Sequence, residues 1–593
     1  MQRSSEEPLQ IAGQSTGANG LDRRATLKVL AALGFGGGAF SRALAAQAEH
    51  QPKVTVEMIK SAEWVSGIEF TDDDRKLMLD GLNEAVADYE SLRAVPLDNG
   101  VPPAIRFHAQ NRSCGLDRVE RTARPTQWFP GPRPSGDDAV AFAPVTQLSA
   151  WVRSKVISSR ELTRLYLERL KKFDALLKCM ITLTQETAIQ QAKKADEELA
   201  AGRYRGPLHG IPWGVKDLLA FPGYRTTWGA KPYENQVRKE KATVIARLED
   251  AGAVLLAKLS VGALAWGDVW FGGTTKNPWK PEQGSSGSSA GPAAATAAGL
   301  AGFTIGTETL GSIVSPCTRC GATGLRPTFG RVSRFGAMAL SWSMDKVGPI
   351  ARSVEDCALV FDAIHGSDGL DPSAESHDFH WPPQRDFRSM RVGYVADLFD
   401  REPPEQIPDG PMRDRFAEQI RFDRDVLDVL KKLGVALHPI KLPDELPVSA
   451  LALILTAEAS TAFDELTRTG RDDLLVRQIE NAWPNVFRQG QMIPAVEYLR
   501  ANRIRTLLMA KMKQTLSQVD AYVCPSFGGS NLVLTNLTGH PAVVLPNGFR
   551  KSDGTPTSIT FCGRLNGETE LLAIAQAYQQ ATDFHRKHPK LES

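Results

Sequence analysis

Cysteine is scarce in this chain, with 7 residues among 593. An odd and small number of cysteines does not indicate a disulfide scaffold. Cys317 and Cys320 form a C-x-x-C pair, but neither a second pair nor a histidine cluster accompanies them. A zinc or redox site is therefore not indicated. None of the 10 histidines falls in a convincing metal spacing, so the sequence predicts no metal and no other cofactor.

An excess of charge is also missing. The 70 basic residues balance 68 acidic residues, which leaves a net charge of +2 with both signs interspersed. This pattern argues against a nucleic-acid stripe and against a polyanionic substrate. The sequence contains no H-E-x-x-H motif and no Walker loop. After residue 48 no run is long and apolar enough to cross a bilayer, so we expect no stable membrane anchor.

The N-terminus has the pattern of an export signal. Arg23 and Arg24 precede an apolar run rich in Gly and Ala over residues 29–40, and A-x-A patterns follow within residues 43–48. Paired arginines before a short, weakly apolar run are typical of a twin-arginine signal. We predict a signal peptide over residues 1–48, the twin-arginine translocase as a partner during export, and a periplasmic or secreted enzyme. An ordinary N-terminal helix is the alternative.

The rest of the chain divides into an extension and a main domain. Residues 49–143 begin with a helix opened by Thr71 and an acidic first turn, followed by a loop rich in Pro, Gly and Arg. From residue 144 to residue 593, helical and strand-like segments alternate at short spacing. This alternation predicts an α/β layered fold. Residues 448–518 are predicted to be mostly helical and to cover the sheet.

The chain is densest in serine, glycine and alanine over residues 284–330. Serines in such a run can be nucleophiles, or they can be ordinary turn residues. Ser289 satisfies a G-x-S-x-G pattern, which requires a strand leading into a sharp turn and a helix. The preceding residues 275–283 contain two prolines and three charges. They do not predict a buried strand, so an α/β-hydrolase centre at Ser289 is disfavoured.

One lysine lies where it could serve as a base. Lys216 ends the short apolar segment G-I-P-W-G-V-K-D, and burial lowers the pKa of a lysine from about 10.4. A neutral lysine can accept the proton of a hydroxyl. The alternative is a structural lysine paired with Asp217.

Several ordered motifs resemble the amidase signature family. They are G-I-P-W-G-V-K-D, then G-S-S-A-G-P-A-A-A-T-A-A-G-L, then G-T-E-T-L-G-S-I, followed by G-L-R-P-T-F-G-R-V-S, D-K-V-G-P-I-A-R-S-V-E-D and N-L-T-G-H-P-A-V-V-L-P-N-G. The resemblance covers roughly residue 145 to the C-terminus. Ser312 follows Ser288 by 24 positions, as in the family's Ser–Ser–Lys pattern. The resemblance implies an amidase signature domain over residues 144–593 with a large mixed twisted sheet sandwiched between helical layers, preceded by a helical extension.

The resemblance also implies the chemistry. Ser312 matches the nucleophile, Ser288 the bridging serine after a cis peptide bond, and Lys216 the base. The backbone N–H groups of Thr309, Leu310, Gly311 and Ser312 match the oxyanion hole. The implied reaction is hydrolysis of a carboxylic amide without metal, on a small-molecule or peptide amide substrate. A homodimer is left open.

Three departures from the usual T-D-x-G-G-S-I-R pattern stand beside the nucleophile. Glu308 replaces the acid, Leu310 replaces the first glycine, and Val314 replaces the arginine that pairs with the acid. Leu310 puts the oxyanion turn in question, and Arg319 is one candidate for the missing partner. Two other functions are considered: an amidotransferase A-type subunit, which the export signal argues against, and an inactive binding protein.

Substrate preference is the least determined property. The tryptophans near the motifs could line an apolar or aryl-accepting pocket, although core packing explains them equally well. They are Trp213, Trp228, Trp266 and Trp270. No basic cluster near the motifs indicates a carboxylate-bearing substrate.

Overall fold

A computed structural model describes residues 54–105, 120–403 and 407–591. The predicted signal peptide, residues 1–48, lies outside the described residues. The helices are α1 Val56–Ser66, α2 Asp72–Arg93, α3 Asp137–Ala141, α4 Val145–Arg153, α5 Ser159–Leu177, α6 Gln185–Ala200, α7 Thr243–Asp250, α8 Ala290–Ala297, α9 Val314–Cys320, α10 Val354–Ile364, α11 Ala396–Phe399, α12 Pro411–Lys432, α13 Leu453–Ala462, α14 Asp464–Arg468, α15 Trp483–Gly490, α16 Ala495–Leu516, α17 Asn531–Leu537 and α18 Glu568–Gln580.

One large sheet forms the centre of the molecule. The strands in chain order are β1 Met180–Leu183, β2 Pro212–Lys216, β3 Val254–Leu259, β4 Val269–Trp270, β5 Gly273–Thr274, β6 Lys276–Asn277, β7 Lys280–Gly284, β8 Phe303–Glu308, β9 Thr323–Arg326, β10 Lys346–Ala351, β11 Arg391–Val395, β12 Ala436–Ile440, β13 Ala521–Pro525, β14 Ala542–Phe549 and β15 Pro556–Gly563. Eleven of them join in the order β1-β3-β2-β8-β10-β9-β14-β15-β13-β11-β12. The pairs β4–β5 and β6–β7 form separate two-stranded sheets.

The sheet is mixed, as predicted. β2 runs parallel to both β3 and β8, and β11 runs parallel to both β12 and β13. The other pairings in the large sheet are antiparallel. Every residue of β2, β3, β8, β9 and β10 is buried, as expected for strands covered by helices on both faces. The predicted α/β fold with a large mixed sheet between helices is confirmed.

Local sequence signals explain the helix boundaries well. At the start of α5 the Ser158 hydroxyl accepts the Glu161 N–H at 3.1 Å, and the Glu161 carboxylate accepts the Ser158 N–H at 2.9 Å. This reciprocal arrangement is the capping box that the sequence predicts. The same arrangement joins Thr71 and Asp74 at the start of α2. Two strands of the large sheet, β10 and β15, were not predicted from the sequence.

Residues 54–143 lie against the main domain. Leu92 and Tyr89 of α2 belong to a buried cluster that also contains Leu451, Ile504 and Leu508. The segment from residue 120 to residue 136 forms neither helix nor strand. Its Arg124 N–H donates to the Trp381 carbonyl at 3.2 Å. The predicted wrapping loop thus follows the surface of the main domain, while the boundary at residue 143 stays a prediction.

Candidate active site

The candidate site lies where two parallel strands end side by side. Lys216 is the last residue of β2, and Thr307 and Glu308 are the last residues of β8. Because β2 and β8 are parallel neighbours, their carboxyl ends meet at one edge of the sheet. The serines come from two turns at this edge, one before α8 and one between β8 and α9.

Lys216 is fully buried and surrounded by hydroxyl groups. Its Nζ lies 2.8 Å from Ser288 Oγ, 3.1 Å from Ser289 Oγ and 2.8 Å from Thr307 Oγ1. Burial lowers the pKa of Lys216 to about 7, although the nearby charges of Asp345 and Glu308 act in the opposite direction. A large share of the Lys216 side chains is therefore neutral at neutral pH.

The alternative pairing of Lys216 with Asp217 is wrong. Asp217 Oδ1 lies 2.7 Å from the Nζ of Lys258 on β3, and both side chains are fully buried. Asp217 Oδ2 accepts the N–H of Thr227 at 2.8 Å. The side chain of Asp217 is thus satisfied by its own partners, which leaves the Lys216 amine to the serines.

Ser288 follows a cis peptide bond from Gly287, as the resemblance implies. A Cβ at position 287 would overlap the carbonyl oxygen of Gly267, so only glycine fits this close backbone approach. Ser288 is completely buried, and its hydroxyl contacts Lys216.

Ser289 is held differently from Ser288. Its hydroxyl donates to the Thr307 carbonyl at 3.0 Å and accepts the Thr307 N–H at 3.1 Å. A hydroxyl has a single proton to donate, so the Ser289 proton is already committed to a backbone oxygen. The segment before these serines does form a strand, β7, but this strand is partly exposed and belongs to a two-stranded sheet. Both observations disfavour Ser289 as a nucleophile.

Ser312 lies in the turn between β8 and α9. It is 7% exposed, whereas Ser288 and Lys216 are 0% exposed, so Ser312 is the most accessible of the three. Its carbonyl accepts the Ser289 N–H at 3.1 Å, which fixes the two serine turns to each other. The hydrogen bonds of the described residues do not include one between the hydroxyls of Ser288 and Ser312. Catalytic hydrogen bonds are often longer without substrate and tighten in the complex.

The turn from Thr309 to Ser312 presents unused backbone donors. In the part of the chain that the structure describes, no hydrogen bond uses the N–H of Thr309, Leu310, Gly311 or Ser312. Gly311 has φ +82°, a conformation that favours glycine, whereas Leu310 is not among the residues with positive φ. The glycine requirement of the turn therefore falls on Gly311, and leucine at position 310 is compatible with the backbone.

Glu308 anchors this turn from inside the protein. Its Oε2 accepts the N–H groups of Ile313 and Val314 at 2.8 and 2.9 Å. Its Oε1 lies 2.6 Å from Arg326 Nη1 and accepts from the Asn536 amide at 2.9 Å. Burial alone would raise the pKa of Glu308, but the Arg326 guanidinium and these hydrogen bonds lower it to about 2. Glu308 is therefore a permanent carboxylate that holds the residues after Ser312.

Arg319 is not the partner of Glu308, which corrects the sequence hypothesis. Arg319 Nη1 donates to Gln283 at 3.3 Å, and the buried arginine beside Glu308 is Arg326 of β9. Arg326 lies in the G-L-R-P-T-F-G motif and Asn536 in the N-L-T-G-H-P motif. Both motifs signalled the family, but sequence spacing alone did not place these residues beside Glu308.

A second carboxylate, also missed from the sequence, supports the turn from the other side. Asp345 accepts the Thr309 hydroxyl at 2.5 Å and the N–H groups of Leu340 and Ser341 at 2.8 and 3.0 Å. It belongs to the D-K-V-G-P motif. Burial raises its pKa, while these hydrogen bonds act in the opposite direction.

The four tryptophans named from the sequence pack in the interior or with other aromatic rings. Trp213 is completely buried and stacks on Phe303 with ring centroids 5.8 Å apart. The partners of Trp228 are Tyr233 and Phe463, the partner of Trp266 is Trp483, and Trp270 lies beside Phe271. Core packing is therefore the better interpretation.

Two general features of the described residues concern anchors and metals. No helix in residues 54–105, 120–403 and 407–591 has the length and apolar character that a membrane span requires. The same residues contain no group of three or more His, Cys, Asp and Glu placed to hold a metal ion. Cys317 and Cys320 are both buried and unbonded to each other.

Comparison with known proteins gives a consistent class. The family model described as "Amidase" matches residues 161–532. The A-type subunit of the Glutamyl-tRNA(Gln) amidotransferase from Roseiflexus sp. (strain RS-1) is 35% identical over 479 residues, which are 73% of this chain and 95% of that protein. The corresponding protein from Moorella thermoacetica is 34% identical over 486 residues, with 75% and 98% covered.

Solved structures agree with this result. The native peptide amidase of Stenotrophomonas maltophilia is 27% identical with a TM-score of 0.64, and the match covers 76% of this chain and 99% of that one. A bacterial aryl acylamidase of the amidase signature family shares the fold at 20% identity and a TM-score of 0.65, with 76% and 98% covered. The chain belongs to the amidase family. It is an amidase, an enzyme of the class that acts on carboxylic amide C–N bonds.

Proposed function

We propose that this protein hydrolyses a carboxylic amide through an acyl-enzyme on Ser312, with Ser288 and Lys216 relaying protons. The observation that carries the proposal is the buried contact of 2.8 Å between Lys216 Nζ and Ser288 Oγ. The Ser289 proton is committed to the Thr307 carbonyl, so Ser288 is the hydroxyl able to give its proton to the neutral amine. Burial, which brings the Lys216 pKa to about 7, supports this role.

In the acylation step, Lys216 accepts the Ser288 proton while Ser288 accepts the Ser312 proton. Ser312 Oγ bonds to the amide carbon, and the carbonyl oxygen becomes an oxyanion. The free N–H groups of the turn from Thr309 to Ser312 would bind this oxyanion. The C–N bond then breaks, and the proton held by Lys216 returns through Ser288 to the leaving amine. The acyl group remains on Ser312.

In the deacylation step, water replaces the amine. The water gives its proton to the same relay and bonds to the acyl carbon. The second tetrahedral intermediate collapses, the carboxylic acid leaves, and Ser312 regains its proton. Lys216 is neutral at the start and at the end, so the cycle consumes one water and needs no cofactor.

The experiment is a hydrolysis screen of the mature protein on fatty amides, aryl amides and C-terminally amidated peptides. Release of ammonia or amine is measured for wild type and Ser312→Ala. We expect turnover by wild type and a loss of about 10³-fold or more in Ser312→Ala. Turnover by Ser312→Ala close to that of wild type would exclude Ser312 as the nucleophile.

An amidotransferase A-type subunit is the second candidate, favoured by the names of relatives up to 35% identical. Such a protein would copurify with partner subunits and would pass ammonia to them. Stable copurification of B- and C-type subunits with the tagged chain favours this candidate over the hydrolase, and purification of an active single chain excludes it. An inactive binding protein is excluded by turnover in the same screen. A homodimer stays a prediction.

Export through the twin-arginine translocase is proposed from Arg23 and Arg24 and the apolar run that follows them. The expected result is a mature periplasmic or secreted protein that begins near residue 49. Replacing both arginines with lysine should retain the precursor in the cytoplasm, as measured by fractionation. N-terminal sequencing of the exported protein locates the cleavage site.

A further inference from the structure

A cavity of about 360 Å³ lies beside the candidate active site. Its wall is mainly apolar, with Leu218, Phe335, Met338, Leu340, Trp342 and Val347 among the lining residues. Pockets that bind small molecules are typically of this size class and lined by apolar and aromatic side chains. The volume accommodates a group of the size of a phenyl ring or a branched alkyl chain.

The cavity shares two residues with the catalytic machinery. Thr307 and Thr309 line it. Thr307 Oγ1 lies 2.8 Å from Lys216 Nζ, and Thr309 opens the turn that carries the free N–H groups. An amide whose carbonyl lies at that turn would therefore have one of its substituents next to the cavity.

The charged groups in the cavity wall already have partners in the protein. Arg334 Nε lies 3.0 Å from Asp371 Oδ2, and the other Arg334 nitrogens donate to the Trp342 carbonyl at 2.7 Å and to Ser373 at 2.6 Å. Asp345 accepts three hydrogen bonds from the loop and the turn.

Lys346, the remaining charged residue of the wall, is likewise engaged. Its Nζ donates to the Met344 carbonyl. Burial holds its pKa well below the usual lysine value. A charged substituent would lose its hydration in this cavity without gaining an unpaired counter-charge.

We propose that this cavity binds an uncharged apolar substituent of the amide substrate, aryl or branched alkyl, and excludes carboxylate-bearing substituents. The inference rests on the proposed amide hydrolysis for its kinetic readout. Met338, Phe335 and Trp342 are then specificity-determining residues, and the Asp371 carboxylate keeps Arg334 from attracting anions.

The first experiment fills the cavity. The ratio of kcat/KM for phenylacetamide to kcat/KM for acetamide is compared in wild type, Met338→Trp and Met509→Trp. Met509 is a surface residue of α16 with 39% exposure, so its variant is a matched control for the same exchange. We expect the ratio to fall by about tenfold or more in Met338→Trp and to stay within about twofold in the control. An unchanged ratio in Met338→Trp overturns the proposal.

The second experiment releases the arginine. Asp371→Asn removes the charge that pairs with Arg334, while Asp368→Asn alters the same loop away from the cavity wall. Asp368 accepts hydrogen bonds from Leu370 N–H and Asp371 N–H, at 2.8 and 3.0 Å. Asp371→Asn should improve 4-carboxyphenylacetamide relative to phenylacetamide by about fivefold or more, and Asp368→Asn should not. Equal ratios in both variants contradict the proposed role of Asp371.

A binding measurement separates this proposal from the proposed reaction. Phenylacetamide binding to Ser312→Ala is measured by calorimetry, with and without Met338→Trp. Binding that weakens about tenfold with Met338→Trp supports the cavity even if wild type hydrolyses no amide. Unaltered binding in a folded double variant overturns the cavity assignment, whatever the outcome of the hydrolysis screen.

Discussion

At the residue scale, the account depends on the protonation of Lys216. Its pKa of about 7 arises from burial, and only the neutral amine can accept the Ser288 proton. The protonated fraction grows as pH falls below 7, so kcat/KM should fall on the acid side with an apparent pKa of about 7. Lys216→Ala should lower kcat/KM by about 10²–10⁴-fold.

The measurement is the pH profile of kcat/KM between about pH 5 and pH 9, the range around a pKa of about 7. Lys76 has a side chain that is 65% exposed, and Lys76→Ala should keep both the rate and the acid limb. A wild-type profile that stays flat down to pH 5 would contradict a neutral lysine base.

A second residue-scale prediction separates the two adjacent serines. Ser288 contacts Lys216 and is free to donate its proton, whereas the Ser289 proton is bound to the Thr307 carbonyl. Ser288→Ala should therefore lose about 10²-fold or more in kcat, and Ser289→Ala should lose clearly less. Steady-state kinetics on one amide substrate measures both variants. The reverse order of the two losses would mean that the relay runs through Ser289.

At the scale of elements, the site depends on the turn that joins β8 to α9. Glu308 and Asp345 hold its two ends by hydrogen bonds. The four N–H groups between them remain available. Breaking a buried pair such as Glu308–Arg326 typically costs about 3–5 kcal/mol, so the turn is rigidly placed before substrate binds.

The prediction for this turn contrasts two neighbouring positions. Gly311→Ala places a side chain at φ +82°, where alanine is strained, and its Cβ would lie 3.1 Å from Leu532. Leu310→Ala removes only a half-buried side chain from an ordinary backbone conformation. Gly311→Ala should lower kcat by about 10²–10³-fold, comparable to the loss of one oxyanion donor. Leu310→Ala should stay within about tenfold of wild type.

Both variants are compared with wild type by kcat and by circular dichroism, which checks that the fold is kept. Larger damage in Leu310→Ala than in Gly311→Ala would place the oxyanion site elsewhere. Rescue is not expected from Gly311→Ser, because any Cβ meets the same restriction.

The elements that the sequence predicted are those with strong local signals. Helices α2, α5 and α10 begin at Thr71, Ser158 and Ser353, whose side chains cap the first turn. The position of Lys216 at a strand end and the Ser288–Ser312 spacing were also readable from the motifs. The local preferences of the two missed strands were weaker guides: β10 contains Gly348 and Pro349, and pairing with β8 and β9 determines its strand conformation.

What could not be predicted depends on contacts between distant residues. Arg326 and Asn536 reach Glu308 only because β9 and α17 pack at the same edge of the sheet. Arg319 was nearer in sequence but contacts Gln283 instead. The cavity beside Thr307 is likewise formed by a loop that no local pattern places there.

At the scale of the whole molecule, the N-terminal extension contributes to the core. Leu92 of α2 is fully buried in the same cluster as Met344, which directly precedes Asp345. Leu92→Ala should lower the free energy of unfolding by about 2–5 kcal/mol. Leu499→Ala, at a position with 47% exposure, should change it by about 0.5 kcal/mol or less. Denaturant unfolding measures both, and equal effects would mean that the extension does not pack as described.

The central claim is the acyl-enzyme on Ser312, and covalent labelling tests it most directly. Wild type, Ser312→Ala and Ser289→Ala are treated with a fluorophosphonate, and the labelled residue is located by peptide mass spectrometry. The account predicts one adduct, on Ser312, in wild type and in Ser289→Ala, and no adduct in Ser312→Ala. An adduct on Ser289, or labelling of Ser312→Ala at the wild-type rate, would contradict it.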